Sequence, residues 1–269
     1  HGHSLLIWGF MRFHAIASRS TTGTGLLACA LALLAWSPVS AQQFNSDNYL
    51  SKPAGVSTVI LTLGEQSDMV MTTFSLIPRF EFTYAVYVFN SDQDRSTDDG
   101  YSTSLYFKYM IAENTAKTGG LAVKAGTGME PGYLTSVGLE DAFQTWWVNA
   151  PLTLPFYGNK LSWDLMPGAS YTFDNANSLE VGWSFTYSTR LGWYPKGPKA
   201  AIVGEVFGGV GEVETPAEYK IGVRYEPNQY ATFALTYGQE FTSSVGAGWQ
   251  LGMMLFTPPF FCITGCDIK

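Results

Sequence analysis

Eleven charged side chains are the residues of this chain whose types and spacing could act together. Each occupies the polar phase of a segment in which every second residue is apolar, so we expect all of them to point into one enclosed space. Opposite charges there could line a path for a small polar solute, or they could neutralise one another, as buried charges must. We favour neutralisation for most of them, and we expect Glu205 to contact Arg224 on the neighbouring strand. The predicted lumen-lining residues are Arg79, Glu81, Lys108, Lys124, Asp164, Glu180, Arg190, Glu205, Glu218, Lys220 and Arg224.

Catalysis by histidine is excluded from the part of the chain that follows the predicted leader. His1, His3 and His14 all precede residue 42, so no Ser-His or Cys-His pair and no histidine metal site can form beyond it. We therefore predict no catalytic residue, no cofactor and no enzyme activity.

Two short motifs offer weaker chemistry. Cys262 and Cys266, in CITGC, are a disulfide candidate in an oxidising compartment, and an unpaired tail is the alternative. Acidic and hydroxyl side chains alternate over residues 92–98 as in a calcium loop, but Thr97 stands where the turn of such a loop requires glycine. A solvated loop is expected there, and we predict no metal site.

The first 41 residues read as an upstream leader and a cleavable signal peptide, with the start at Met11. The apolar core at 26–36 is too short to span a bilayer, and small residues before Gln42 suit cleavage. Residues 42–269 then form a single barrel domain with a short C-terminal tail at 257–269. Removing the two arginines of the leader leaves 13 basic against 22 acidic residues, a net charge of −9. This acidity argues against nucleic acid as a partner.

The composition favours a chain whose surface does not all face water. Hydrophobic residues make up 46% and charged residues 14%, against about 25% charged in an ordinary soluble domain. Polar and apolar residues alternate with period two, most clearly over 178–190. This pattern predicts an all-β, transmembrane, antiparallel up-and-down β-barrel of about 12 strands. The predicted strands are 56–64, 68–76, 79–89, 101–112, 120–127, 143–154, 160–173, 178–190, 200–208, 216–226, 230–238 and 246–256.

A soluble β-sandwich is the alternative fold. Its water-facing side would be rich in Lys and Glu, whereas the polar phase here is mostly Gly, Ser, Thr and Ala. Aromatic residues near the predicted strand ends, including Trp146, Trp147 and Trp193, suit the girdles of a membrane barrel. An even strand number puts both chain ends on one side, which we expect to be the periplasm. Twelve strands enclose a backbone radius of about 12 Å, so long inward side chains would leave a narrow or closed lumen.

Residues 200–256 resemble the outer-membrane family linked to meta-pathway phenol degradation and related transport proteins. The matching features are a strand bearing Glu205, a Gly-x-Arg-Tyr strand at 222–225, a turn, and a closing strand with Gly252. This resemblance implies an outer-membrane barrel that passes small, often hydrophobic molecules. The chain departs from many barrels because it continues past Phe256, so an assembly signal would lie at 249–256.

These observations predict a porin-like barrel in the outer membrane of a Gram-negative bacterium. Its expected partners are outer-membrane lipid and a small-molecule solute, and its expected role is a passive channel or uptake protein for transport. The alternative is a closed structural or adhesion barrel with acidic extracellular loops. Basic side chains paired with acids across a plugged lumen would favour that alternative, whereas a continuous water path would favour the channel.

Overall fold

The computed structural model describes residue 44 and residues 46–89, 100–130, 143–173, 181–261 and 263–264. No helix in these ranges is long and apolar enough to cross a membrane. The described residues form thirteen strands. They are β1 (Ser57–Gly64), β2 (Ser67–Ile77), β3 (Phe80–Phe89), β4 (Gly100–Glu113), β5 (Gly120–Gly128), β6 (Thr145–Asn149), β7 (Leu152–Phe156), β8 (Leu161–Thr172), β9 (Gly182–Trp193), β10 (Ala200–Gly211), β11 (Thr215–Asn228), β12 (Ala231–Glu240) and β13 (Gly248–Phe256).

The strands form a closed antiparallel barrel with twelve positions in its wall, which confirms the predicted fold class. Neighbours along the chain pair in turn, and β1 pairs with β13 to close the ring. A closed ring leaves no sheet edge, which distinguishes this barrel from the sandwich that was the alternative.

The sixth wall position is shared by two short strands rather than the single strand predicted at 143–154. Both β6 and β7 lie between β5 and β8, and Ala150 and Pro151 separate them. Pro151 has no N–H to donate, so a ladder cannot run through it unbroken. The wall stays continuous because Ala150 N donates to Pro167 O at 2.9 Å and Ala122 N donates to Pro151 O at 2.8 Å.

The two faces of the wall differ in chemistry as the alternation predicts. In β9, Trp183 and Phe185 are half exposed on the outside, whereas Ser184, Thr186 and Ser188 are buried inside. Holding one large apolar side chain in water rather than burying it costs about 1.5–3 kcal/mol. An outer surface covered with such side chains is therefore suited to lipid.

One predicted girdle residue faces the interior instead. Trp146 is exposed on the outside, but Trp147 is 3% exposed and lies inside the barrel. Successive residues of a strand point to opposite faces, so two adjacent tryptophans cannot both belong to an outer girdle.

The barrel has one end that carries both termini of the wall. We call it the terminal end: β1 begins and β13 ends there, and the described turns at 78–79, 114–119, 157–160 and 194–199 lie there too. Two turn residues, Tyr157 and Asn159, have positive φ values of 49° and 66°. The predicted loop at 92–98 and residues 131–142 lie outside the described residues.

Candidate functional site in the barrel interior

Nine of the eleven predicted lumen-lining residues are buried, each at most 6% exposed. Arg79 is different: it lies exposed in the turn between β2 and β3, with a φ of 66°. The alternation that placed it inside does not extend into a turn, where the ladder has ended. Glu180 lies outside the described residues. The nine buried residues are Glu81, Lys108, Lys124, Asp164, Arg190, Glu205, Glu218, Lys220 and Arg224.

Four of these residues form a row of alternating charge across neighbouring strands. The strand register sets Asp164 opposite Arg190, Arg190 opposite Glu205, and Glu205 opposite Lys220. Arg190 donates through Nε and Nη2 to Asp164 Oδ2, at 3.0 and 2.8 Å. Each charge in this row has a neighbour of opposite sign, which is the arrangement that makes buried ions tolerable.

The register does not set Glu205 opposite Arg224, the contact expected from the sequence. Lys220 stands opposite Glu205, and Arg224 lies four residues farther along β11, opposite Ala201. Arg224 Nη2 donates instead to Glu226 Oε1 on the same strand.

A second row lies on β3, β4 and β5, and it contains a pair of like charges. Glu81 is opposite Lys108, with 2.9 Å between Lys108 Nζ and Glu81 Oε2. Lys108 is in turn opposite Lys124. Like charges directly opposite each other destabilise a sheet, and Glu81 offsets only one of the two, so this pair needs a second anion.

That anion is Asp47, which belongs to a segment that is not part of the wall. The inserted segment, residue 44 and residues 46–56, precedes β1 and lies inside the barrel. Asp47 Oδ1 lies 3.4 Å from Lys108 Nζ, and Asp47 Oδ2 lies 3.4 Å from Lys124 Nζ. Burial by itself raises the pKa of the Asp47 carboxyl, but the two ammonium groups outweigh it and hold that pKa below its usual range.

The inserted segment contacts both sides of the barrel. Opposite the two lysines, the Ser46 N–H donates to Glu205 Oε1, and the Ser46 hydroxyl pairs with that of Ser188. Nearer the terminal end, Lys52 N donates to Glu81 Oε1 at 2.6 Å, and Tyr49 Oη donates to Glu113 Oε1 at 3.3 Å. The segment therefore crosses the lumen at the level of the charged rows.

Both described ends of the inserted segment lie toward the terminal end of the barrel. Residue 56 adjoins β1 at the terminal end, and Asp47 lies at the level of Lys108 and Lys124. Phe44 then packs with Ala201 and Val203, at the beginning of β10, and with Tyr194 in the turn before it.

An apolar cluster adjoins Lys124. It includes the buried side chains of Met71, Tyr106, Met129 and Trp147. Lys124 Nζ lies 4.7 Å from the centre of the Tyr106 ring and 5.7 Å from that of Trp147, both within cation–π range.

The other residues for which the sequence suggested chemistry lie partly outside the described residues. Cys262 and Cys266, the predicted disulfide candidate, and the residues 1–41 of the predicted leader lie outside the described residues. Glu130, which follows β5, accepts a hydrogen bond from Thr186 Oγ1 at 3.1 Å, and burial raises its pKa to about 7. The described part of the chain holds no group of three or more side chains that could bind a metal ion.

Asp47 is one of the interior residues that sequence reasoning missed, with Glu130 and Glu226. It lies in a polar stretch between the predicted cleavage site and the first predicted strand, where no alternation indicates a direction. The one available signal is a charged residue in a stretch of about fourteen residues that belongs neither to the leader nor to the wall.

Taken together, an apolar outer surface, a closed ring of strands and a charged interior define a transmembrane β-barrel with the fold of outer-membrane porins. No protein-family model and no curated protein matches the chain. Among solved structures, the KdgM porin in complex with disordered oligogalacturonate is similar at a TM-score of 0.51 and 10% identity, over 74% of this chain and 98% of that one.

Two further solved structures share this fold. The COG4313 outer membrane channel from Pseudomonas putida F1 is similar at a TM-score of 0.51 and 13% identity, over 81% of this chain and 98% of that one. The NanC porin is similar at a TM-score of 0.50 and 7% identity, over 74% of this chain and 98% of that one. Identities this low carry the fold to this chain and nothing finer.

Proposed function

We propose that this protein is a passive outer-membrane channel for small molecules and that the inserted segment holds it closed. The observation that carries the proposal is that the wall is complete by itself, whereas the inserted segment crosses its interior. Every wall position has two hydrogen-bonded neighbours, so the ring is complete without residues 44–56. The segment nevertheless crosses the interior, where Asp47 contacts Lys108 and Lys124 on one side and Ser46 contacts Glu205 on the other.

An outer-membrane location is part of this proposal. The apolar outer surface requires lipid around it. A closed barrel can cross a membrane because every backbone N–H and C=O group of its strands is hydrogen-bonded within the sheet. The names of the similar structures, two porins and an outer membrane channel, support the same location. The resemblance of residues 200–256 to the meta-pathway family adds small, often hydrophobic molecules to the candidate solutes. The proposed function involves no covalent chemistry and no cofactor.

A closed structural or adhesion barrel is the second candidate, and ion pairing in the wall favours it. Arg190 bonds to Asp164, and Arg224 bonds to Glu226, so both side chains are neutralised by the wall itself. If the wall charges close the lumen without help from the inserted segment, this protein is a closed barrel. If the segment is the obstruction, it is a gated channel.

Reconstitution distinguishes the two candidates. Wild-type protein and a variant lacking residues 44–51 would be refolded, checked for the faster gel mobility of an unboiled barrel, and inserted in planar bilayers. We expect little conductance from the wild type and steady, salt-dependent conductance from the deletion variant. A deletion variant that folds but stays silent, in bilayers and in liposome-swelling assays, would refute the channel and favour the closed barrel.

A further inference from the structure

The pair of lysines under the inserted segment has the chemistry of an anion site. Lys108 and Lys124 are directly opposite each other on β4 and β5, and both are buried. Two buried ammonium groups on directly opposite positions of neighbouring strands repel each other, and an anion close to both offsets that repulsion. In the closed state that anion is the Asp47 carboxylate: Lys108 Nζ lies 3.4 Å from both of its oxygens, and Lys124 Nζ lies 3.4 Å from Oδ2.

Asp47 satisfies this site incompletely. Its three nitrogen–oxygen distances to the two lysines, each 3.4 Å, exceed the roughly 2.7–2.9 Å of a charge-assisted hydrogen bond. Lys124 Nζ is fully buried and has no hydrogen-bond partner among the described residues. Lys108, by contrast, also holds Glu81 and donates to Leu50 O at 2.8 Å. A carboxylate that is not tethered to a backbone can approach Lys124 more closely than Asp47 does.

The surroundings of Lys124 indicate what else such an anion would carry. The rings of Tyr106 and Trp147 lie 5.3 Å apart, and Lys124 Nζ is within cation–π range of both. These rings belong to the buried apolar cluster that includes Met71 and Met129. The anion position is therefore bordered by an aromatic and apolar surface on one side, which suits a solute with a carboxylate next to an apolar body.

We propose that Lys108 and Lys124 form a binding subsite for a small organic carboxylate, and that Asp47 occupies this subsite from within the chain until such a solute displaces it. The inference rests on the proposed channel, and it assigns that channel a solute class. The inserted segment is then both the obstruction and an internal competitor. A carboxylate solute would favour the open state because it binds where the segment binds.

Binding to purified, refolded protein tests the inference. The probe is benzoate, and benzamide, which has the same shape without the charge, is the control ligand. Calorimetry would compare the wild type with Asp47→Asn, Asp47→Asn/Lys124→Met, and two exposed control variants, Glu214→Gln and Lys196→Met. Heat-modifiable gel mobility would show that each variant is a folded barrel.

We expect Asp47→Asn to bind benzoate about tenfold more tightly than the wild type. If Asp47 leaves the subsite free in about one wild-type molecule in ten, the apparent affinity of the wild type for benzoate is about tenfold lower than that of a free subsite. Adding Lys124→Met should remove this binding, the control variants should behave as the wild type does, and benzamide should bind to none of them. Equal affinity of benzoate for the wild type and Asp47→Asn would overturn the inference, as would equal binding of benzamide.

The binding result and the conductance result are independent. A deletion variant that conducts, together with Asp47→Asn that binds no benzoate, would leave the channel standing and remove the carboxylate subsite. A silent deletion variant, together with tight benzoate binding to Asp47→Asn, would establish the anion site and remove the channel on which its transport role depends.

Discussion

Replacement of Asp164 by alanine should strongly destabilise the barrel. Asp164 is 2% exposed, and its Oδ2 accepts both hydrogen bonds that Arg190 donates through Nε and Nη2. Its other oxygen accepts a hydrogen bond from Thr153 Oγ1 at 2.6 Å. Alanine would leave a buried guanidinium without this carboxylate and a buried hydroxyl without its acceptor.

The expected magnitude follows from the geometry of the pair. Unit charges 2.8 Å apart attract each other by about 6 kcal/mol at an effective dielectric constant of about 20. Glu205, opposite Arg190 on β10, retains part of that attraction after the change. We therefore expect Asp164→Ala to lower the free energy of unfolding by about 3–5 kcal/mol, the range for breaking a buried pair.

The double variant Asp164→Ala/Arg190→Met provides the sharper comparison. It removes both ions. Replacing a buried ion pair by apolar side chains often leaves the free energy of unfolding nearly unchanged, so we expect the value for the double variant to lie within about 1 kcal/mol of the wild type. Urea unfolding in lipid vesicles, followed by tryptophan fluorescence and gel mobility, measures both values, with Glu214→Gln as the exposed control. A loss below about 1 kcal/mol for Asp164→Ala, the value of an exposed pair, would refute the argument that this pair is buried and closely coupled.

Three further predictions concern the gate, the apolar cluster and the lipid surface. The pKa of Asp47 is held below its usual range, so its ion pairs with the two lysines persist above that pKa and are lost only as pH falls through it. Wild-type conductance should therefore stay low at neutral pH and rise below about pH 4. Gly126→Ala should cost about 1–3 kcal/mol of stability in the same urea assay, because a Cβ there would lie 2.7 Å from Trp147 Cζ2. Leu235→Lys, in the middle of β12 on the outer face, should cost about 2–4 kcal/mol in vesicles, and a cost near zero would contradict its placement in lipid.

The wall of this barrel was predictable from the sequence, with differences at its ends and at one interruption. In strands such as β9, the alternation of polar and apolar residues predicts which face each side chain occupies, because successive side chains of a strand point to opposite faces. Arg79 was placed wrongly because this rule ends where a turn begins, and the predicted strand at 143–154 divides where Pro151 interrupts the ladder. The burial of Glu81, Lys124 and the other inward charges follows from the alternation, but their partners do not.

What the sequence determined by itself is the all-β class, the approximate number of strands and the face on which most side chains lie, since all three depend on local periodicity. Only the tertiary structure decided which charges meet. Strand register sets Glu205 opposite Lys220 rather than Arg224, and it brings Lys108 beside Lys124. It also decided the place of Asp47, because a segment without alternation has no preferred face. That segment lies inside the closed ring because its carboxylate neutralises two lysines that the wall leaves without a sufficient counter-ion.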